Sequence, residues 1–252
     1  MISGASWWAV VLIGVGVGFL SGLLGKGGSA LASPLLAAVG VPPLIAVASP
    51  LPATVPATLA ASVPYWRERW MDRRVVLWSI AVGLPATALG AIATRWIDGS
   101  LLIKATDLLI AALGVRLVLT THGGRERDGD LAVAHSVVRL VAVAGAVGLV
   151  SGLLANSGGF LLVPLYLAVL RLPIKTAFAT SLACAAVLAV PGSVVHAALG
   201  HVDWRLVGVF ALASMPFANL GARVALRVPA GALERFYGVL LAVLGGTFLL
   251  LG

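Results

Sequence analysis

The sequence predicts an all-α integral membrane protein made of two inverted repeats, each a glycine-broken helix pair, re-entrant or short, followed by three spans. Three observations predict it. Of the 252 residues, 60% are apolar and only 10% are charged, at a mean hydropathy of +1.08, which is more apolar surface than a soluble domain of this length buries. The chain repeats itself, since the run Gly18–Gly28 (GFLSGLLGKGG) returns 130 residues later as Gly148–Gly158 (GLVSGLLANSG). Finally, the Lys and Arg residues divide strongly between the two sides only if the second half is inverted.

Taken in order, apolar runs long enough to cross a ~30 Å hydrocarbon core cover Trp7–Leu24, Leu44–Tyr65, Val75–Ala93 and Leu101–Thr120, then Val137–Leu154, Ile174–Leu199, Leu206–Leu226 and Phe236–Leu251. Two shorter runs, Ser29–Val39 and Gly159–Leu170, follow the glycine breaks. A spanning segment must satisfy its backbone polar groups internally, so these runs are read as helices. A barrel would show short alternating segments instead, and none occurs. Trp7, Trp8, Trp66, Trp70, Trp96 and Trp204 stand near span ends, as interfacial anchors do. No basic residue precedes Lys26, so the charged start of a signal peptide is missing. Cys184 is the single cysteine, which excludes an intramolecular disulfide.

Past one inserted residue the repeat continues at a spacing of 131, pairing Ser62 with Ser193, Asp72 with Asp203, Arg74 with Arg205, Pro85 with Pro216 and Gly90 with Gly221. Only the stretch from Thr121 to Asp130 is markedly hydrophilic. The organisation expected is therefore a first repeat over 1–120, a cytoplasmic linker over 121–135 and a second repeat over 136–252.

Loop charges orient these halves. With parallel halves, basic residues spread almost evenly over both sides. With an inverted second half, one side receives thirteen, among them Arg67, Arg74, Arg125, Lys175, Arg223 and Arg227, and the other keeps Arg95, Lys104 and Arg205. The positive-inside rule expects the second division, with both termini outside. The same placement explains the formal charge of +8 by lipid and topology, so nucleic acid is not an expected partner.

The residues that could carry chemistry cluster at the breaks. Glycine costs about 1 kcal/mol against alanine inside a helix, so Gly25, Gly27 and Gly28 around Lys26 argue for an interruption, as do Ser157 and Gly158 after Asn156. A helix restarting there presents unpaired N–H groups and the positive end of its dipole, a seat for an anion. Lys26 adds a full charge, which costs at least ~2.5 kcal/mol inside a bilayer and calls for a purpose or a partner. The plainer reading is that Lys26 snorkels to headgroups and the glycines serve helix packing. A second pair of elements, Ser49-Pro50-Leu51-Pro52 and Thr180-Ser181-Leu182, offers hydroxyls that either bind oxyanions or back-bond to their helix. Pro50, Pro52 and Pro56 are expected to interrupt their helix and expose carbonyls. Asp107, one turn after Lys104, is either half of an ion pair or a site for a coupling ion. His196 is either a packed interfacial residue or a proton relay. Asp72 and Asp203, each followed closely by arginine, are read as capping or bracing loops.

The broken Gly22–Gly28 motif followed by Pro34, the later Thr180-Ser181-Leu182 and the lead-in Asp203-Trp204-Arg205 together resemble the sulfite exporter TauE/SafE family of membrane permeases. The resemblance covers nearly the whole chain. It implies a multi-pass permease of the cell membrane that moves small anions such as sulfite or organosulfonates without nucleotide hydrolysis. The substrate-binding candidates read from the breaks and hydroxyls are Gly25, Lys26, Gly27, Gly28, Ser49, Asn156, Ser157, Gly158, Thr180 and Ser181, with Asp107 and His196 as possible coupling residues. At three places the chain departs from the family: Lys26 replaces a small or apolar residue, Ser49-Pro50 replaces Thr-Ser, and Asn156-Ser157 replaces a more glycine-rich run.

The partners expected are a small anionic substrate and membrane lipid, with no cofactor and no metal. An enzyme is disfavoured because there is no His-Glu-x-x-His pattern, no close pair of intramembrane aspartates and no hydroxyl residue after the lysine of Gly25-Lys26-Gly27. A structural or assembly protein would have little use for two symmetric breaks. Nothing in the chain specifies an oligomeric state.

Overall fold

A computed structural model describes residues 7–25, 29–93, 136–153 and 159–251. All regular structure among them is helical. The first half contains α1 (Trp7–Leu24), α2 (Ser29–Ala38), α3 (Pro43–Ala48), α4 (Pro50–Arg67) and α5 (Arg73–Ala93). The second contains α6 (Val137–Leu153), α7 (Gly159–Ala168), α8 (Ile174–Ala198), α9 (Trp204–Arg227) and α10 (Ala230–Leu251). Trp7–Leu24, Pro43–Arg67, Ile174–Ala198 and Trp204–Arg227 are each long and apolar enough to cross a membrane. The expected span Leu101–Thr120, the linker at 121–135 and Trp96 lie outside the described residues.

Two differences from the expected elements have plain causes. The last helix begins at Ala230, ahead of the apolar run at Phe236, because Glu234 and Arg235 continue the helix in the polar zone that precedes the span. The prolines around Ser49 do not open the helix as expected. Ser49 keeps helical torsions of φ −68° and ψ −31°, so α3 runs on into α4. Along α4 a ladder of hydroxyls covers the carbonyls: Thr54 Oγ1 donates to Pro50 at 2.9 Å, Thr58 to Thr54 at 2.7 Å and Ser62 to Thr58 at 2.7 Å. These are the i−4 back-bonds that Ser and Thr make inside a helix, to carbonyls whose own N–H partners are in place, so the hydroxyls of α4 are occupied within their helix.

The helices pack as two sets of three, and each set borrows one helix from the other half. In the first, α1 and α4 run parallel to α9. Gly14 meets Ala213, Gly18 meets Ser214 and Gly22 meets Ala218, while Asn219 on α9 reaches Ala60 on α4. In the second, α6 and α8 run parallel to α5. Gly148 meets Gly83, Gly90 meets Leu149, and Gly83 also faces Leu188. The 131-residue spacing makes α5 the counterpart of α9, so the exchange is reciprocal. Lipid-exposed helices gain little from hydrophobic association with one another, and small residues at the seam let backbones approach for dispersion contact. The two sets join where α4 packs against α8, and they run in opposite directions there. Asp72, just beyond the end of α4, meets Thr180 near the start of α8, and Asp203, just beyond the end of α8, meets Ser49 at the start of α4.

Candidate functional site

Ser49 and Thr180 occupy equivalent places in the two halves and make equivalent bonds. Ser49 Oγ accepts the backbone N–H of Asp203 at 3.0 Å, and Thr180 Oγ1 accepts that of Asp72 at 3.3 Å. Both side chains are fully buried. Of the two readings of the aspartates, capping is the one seen: Asp203 Oδ1 accepts from the N–H groups of Arg205 and Leu206, and Asp72 Oδ1 from those of Arg74 and Val75. Each carboxylate satisfies donors that the first turn of a helix leaves unpaired. Each hydroxyl therefore locks a span of one half to the helix start of the other. The two are not drawn together, because Ser49 sits where α8 leads into α9 and Thr180 where α4 leads into α5.

The end of α1 reaches α8 of the other half. The chain leaves α1 at Gly25 with φ +64°, a left-handed torsion that glycine adopts without steric cost. It also passes close to α8, where a Cβ on Gly25 would lie 2.5 Å from Phe178 Cα. Phe178 is two residues before Thr180 and stacks edge-on against Tyr237, with centroids 5.3 Å apart. One turn before Thr180, Thr176 is fully buried and its Oγ1 has no hydrogen-bond partner. Such a group is costly unless something else satisfies it. Sequence reading missed Thr176, although the four-residue spacing to Thr180 puts both on one face of α8. Ser181 is buried beside them.

Lys26, Gly27, Gly28, Asn156, Ser157, Gly158 and Asp107 lie outside the described residues. The elements bracketing them are in view: α1 ends at Leu24 and α2 starts at Ser29, and α6 ends at Leu153 and α7 starts at Gly159. His196 stands in the last turn of α8 with its Nδ1 3.4 Å from Nδ1 of His201, a neighbour that the sequence did not single out. Among the described residues, no group of three or more His, Cys, Asp or Glu is placed to hold a metal.

Polar contacts of Tyr166 and Lys175 also tie the helices around this seam. Tyr166 on α7 shares a 2.6 Å hydrogen bond with Ser79 on α5 and donates to Cys184 Sγ on α8 at 3.5 Å, all three being buried. At the start of α8, Lys175 Nζ donates to the Leu226 carbonyl at 2.8 Å and lies 5.6 Å from the centroid of the Trp70 ring. A cation at the C-terminal end of α9 is favoured by the helix dipole.

Comparison with known proteins agrees with this architecture. The family model described as sulfite exporter TauE/SafE matches residues 10–248. A probable membrane transporter protein of Xylella fastidiosa (strain 9a5c) is 31% identical, with 92% of this chain and 91% of the relative covered. The probable membrane transporter protein YjnA of Bacillus subtilis (strain 168) is 24% identical over 94% of this chain and 97% of its own length. YunE of the same strain, similarly described, is 26% identical over 87% of each. No solved structure matches the chain. A match that runs from α1 into α10, on a chain of apolar helices, shows that this multi-pass membrane protein belongs to the sulfite exporter TauE/SafE family.

Proposed function

We propose that the protein is a secondary transporter for small anions, sulfite or organosulfonates, in which two inverted repeats frame a site at the glycine breaks. That it is a membrane transporter and not an enzyme follows from its family and its relatives. The finer reading rests on one observation above the others. The left-handed end of α1 abuts α8 of the other half at Phe178, which lies in sequence between Thr176, a buried hydroxyl with no partner, and Thr180. In repeat transporters, substrates bind where interrupted helices of the two halves meet, and the restarting N-termini face anionic groups. The starts of α2 and α7 supply those N-termini, with Lys26 and Asn156 contributing from the breaks.

The inverted relation of repeats 1–120 and 136–252, joined by a cytoplasmic linker at 121–135, draws support from the antiparallel seam of α4 and α8 and the matching Ser49 and Thr180 bonds. It also draws support from charge, because Arg67, Arg223 and Arg227 line one cavity and Lys175 lies over Trp70, so basic residues of both halves gather at one end. Parallel halves would have divided them.

Uptake of labelled sulfite and of a taurine-like sulfonate into vesicles carrying the purified protein tests the substrate class. Sulfur oxyanions and small sulfonates should compete with one another, and neutral solutes should not compete. Lys26→Ala should weaken anion binding about tenfold or more with little change in melting temperature. Transport of a cation with indifference to every anion tried would overturn the substrate class, and unchanged affinity in Lys26→Ala would return that lysine to headgroup snorkelling.

A further inference from the structure

We propose that α4 and α9 form a seat for one anionic phospholipid, with acyl chains in an apolar groove and the phosphate on an arginine cluster at its end. The groove has a volume of about 680 Å³ and is lined by Ala60, Leu212, Met215, Phe217 and Leu220, and it ends at Arg223. A second cavity of about 320 Å³ lies at the ends of the same two helices, lined by Arg67, Glu68, Arg223 and Arg227. Arg223 lines both, so the apolar groove leads into the charged cavity. Leu212 is 77% exposed and Leu220 47% exposed, so the groove opens to the surroundings and not to the protein core.

Charge identifies the headgroup. Three guanidinium groups face one carboxylate, and Glu68 Oε2 already accepts from Trp70 Nε1 at 3.3 Å. The surplus is positive, and guanidinium groups bind phosphate oxygens in pairs. Basic pockets between spans at the positive side of a membrane protein suit anionic headgroups. Length identifies the tail. From Leu212 to Arg227 is about 22 Å of helix at 1.5 Å per residue, matching the depth of one leaflet with its headgroups, about 20–22 Å. A free anion would use the arginines and have no use for the groove.

The purified protein in a neutral detergent should retain phosphatidylglycerol in native mass spectrometry and gain melting temperature from it, with little response to phosphatidylcholine, glycerol phosphate or inorganic phosphate. Arg223→Gln/Arg227→Gln should weaken retention about tenfold or more. Met215→Trp, which fills the groove and leaves the charges in place, should weaken it as well. Arg205→Gln, at the opposite end of α9, serves as the control and should bind as the parent does. Should the double variant fail to fold, Arg67→Gln provides the charge test. Equal retention of both lipids, or a response to phosphate matching that to phosphatidylglycerol, overturns the proposal. So does phosphatidylglycerol binding unaltered by the arginine and groove variants, or a groove found covered by a second copy of the chain.

Discussion

Asn219 on α9 donates from Nδ2 to the Ala60 carbonyl on α4 at 2.7 Å, and that carbonyl is the one Pro64 leaves without its helical N–H partner. A proline inside one span is thereby answered by an amide on another, and the pair fixes the register of α4 against α9.

Asn219→Ala should therefore lower stability by about 1 kcal/mol or more, because a partly buried acceptor loses its donor. In a Pro64→Ala background the helix supplies its own N–H to Ala60, and the cost of Asn219→Ala should shrink. Melting curves of the two single variants and the double variant measure this coupling, and strict additivity would refute the relationship.

Ser49→Ala and Thr180→Ala each strand a backbone N–H, that of Asp203 or Asp72, at a helix start. Each should cost about 1–3 kcal/mol, and the two losses should add, since the bonds lie at different ends of the α4/α8 seam. Thermal unfolding in detergent reads both. A loss confined to one variant would show that the two clamps are not equivalent.

The seam of α1 and α9 distinguishes glycines that pack from glycines that do not. A side chain on Gly22 would collide with the Ala218 carbonyl, whereas a Cβ on Gly16 would meet nothing within 4 Å. Gly22→Val should destabilise by about 1–3 kcal/mol or abolish folding. Gly16→Ala should be neutral or stabilising by up to ~1 kcal/mol, because alanine is the better helix former. Equal effects at both positions would contradict close packing at this seam.

Orientation can be read by cysteine chemistry, since Cys184 is fully buried and can be replaced by alanine to leave a silent background. A cysteine in place of Gly124 should resist an impermeant reagent in intact cells, and one in place of Leu199, which is 61% exposed at the end of α8, should be labelled. The reverse pattern would overturn the orientation drawn from the basic residues.

The helices and most of their bounds were legible in the sequence, because apolar runs bounded by charge or glycine are dictated by the bilayer and not by neighbours. The start of α1 at Trp7 and the starts of α2, α7 and α8 are all local properties of this kind. So was the equivalence of Ser49 and Thr180, which the spacing of 131 residues records. Their partners were not. A hydroxyl reads alike whether it back-bonds, binds an anion or clamps a distant N–H, and only the packing of α4 against α8 assigned Ser49 to Asp203 and Thr180 to Asp72. Tertiary structure likewise decided that the prolines of α4 leave its span continuous, that Asn219 answers Pro64, and that Thr176 lies buried without a partner. The physical reason is common to all of these. A bilayer constrains each span by composition alone, but which polar groups meet depends on how the two sets of helices cross, and that relation joins residues more than 100 positions apart.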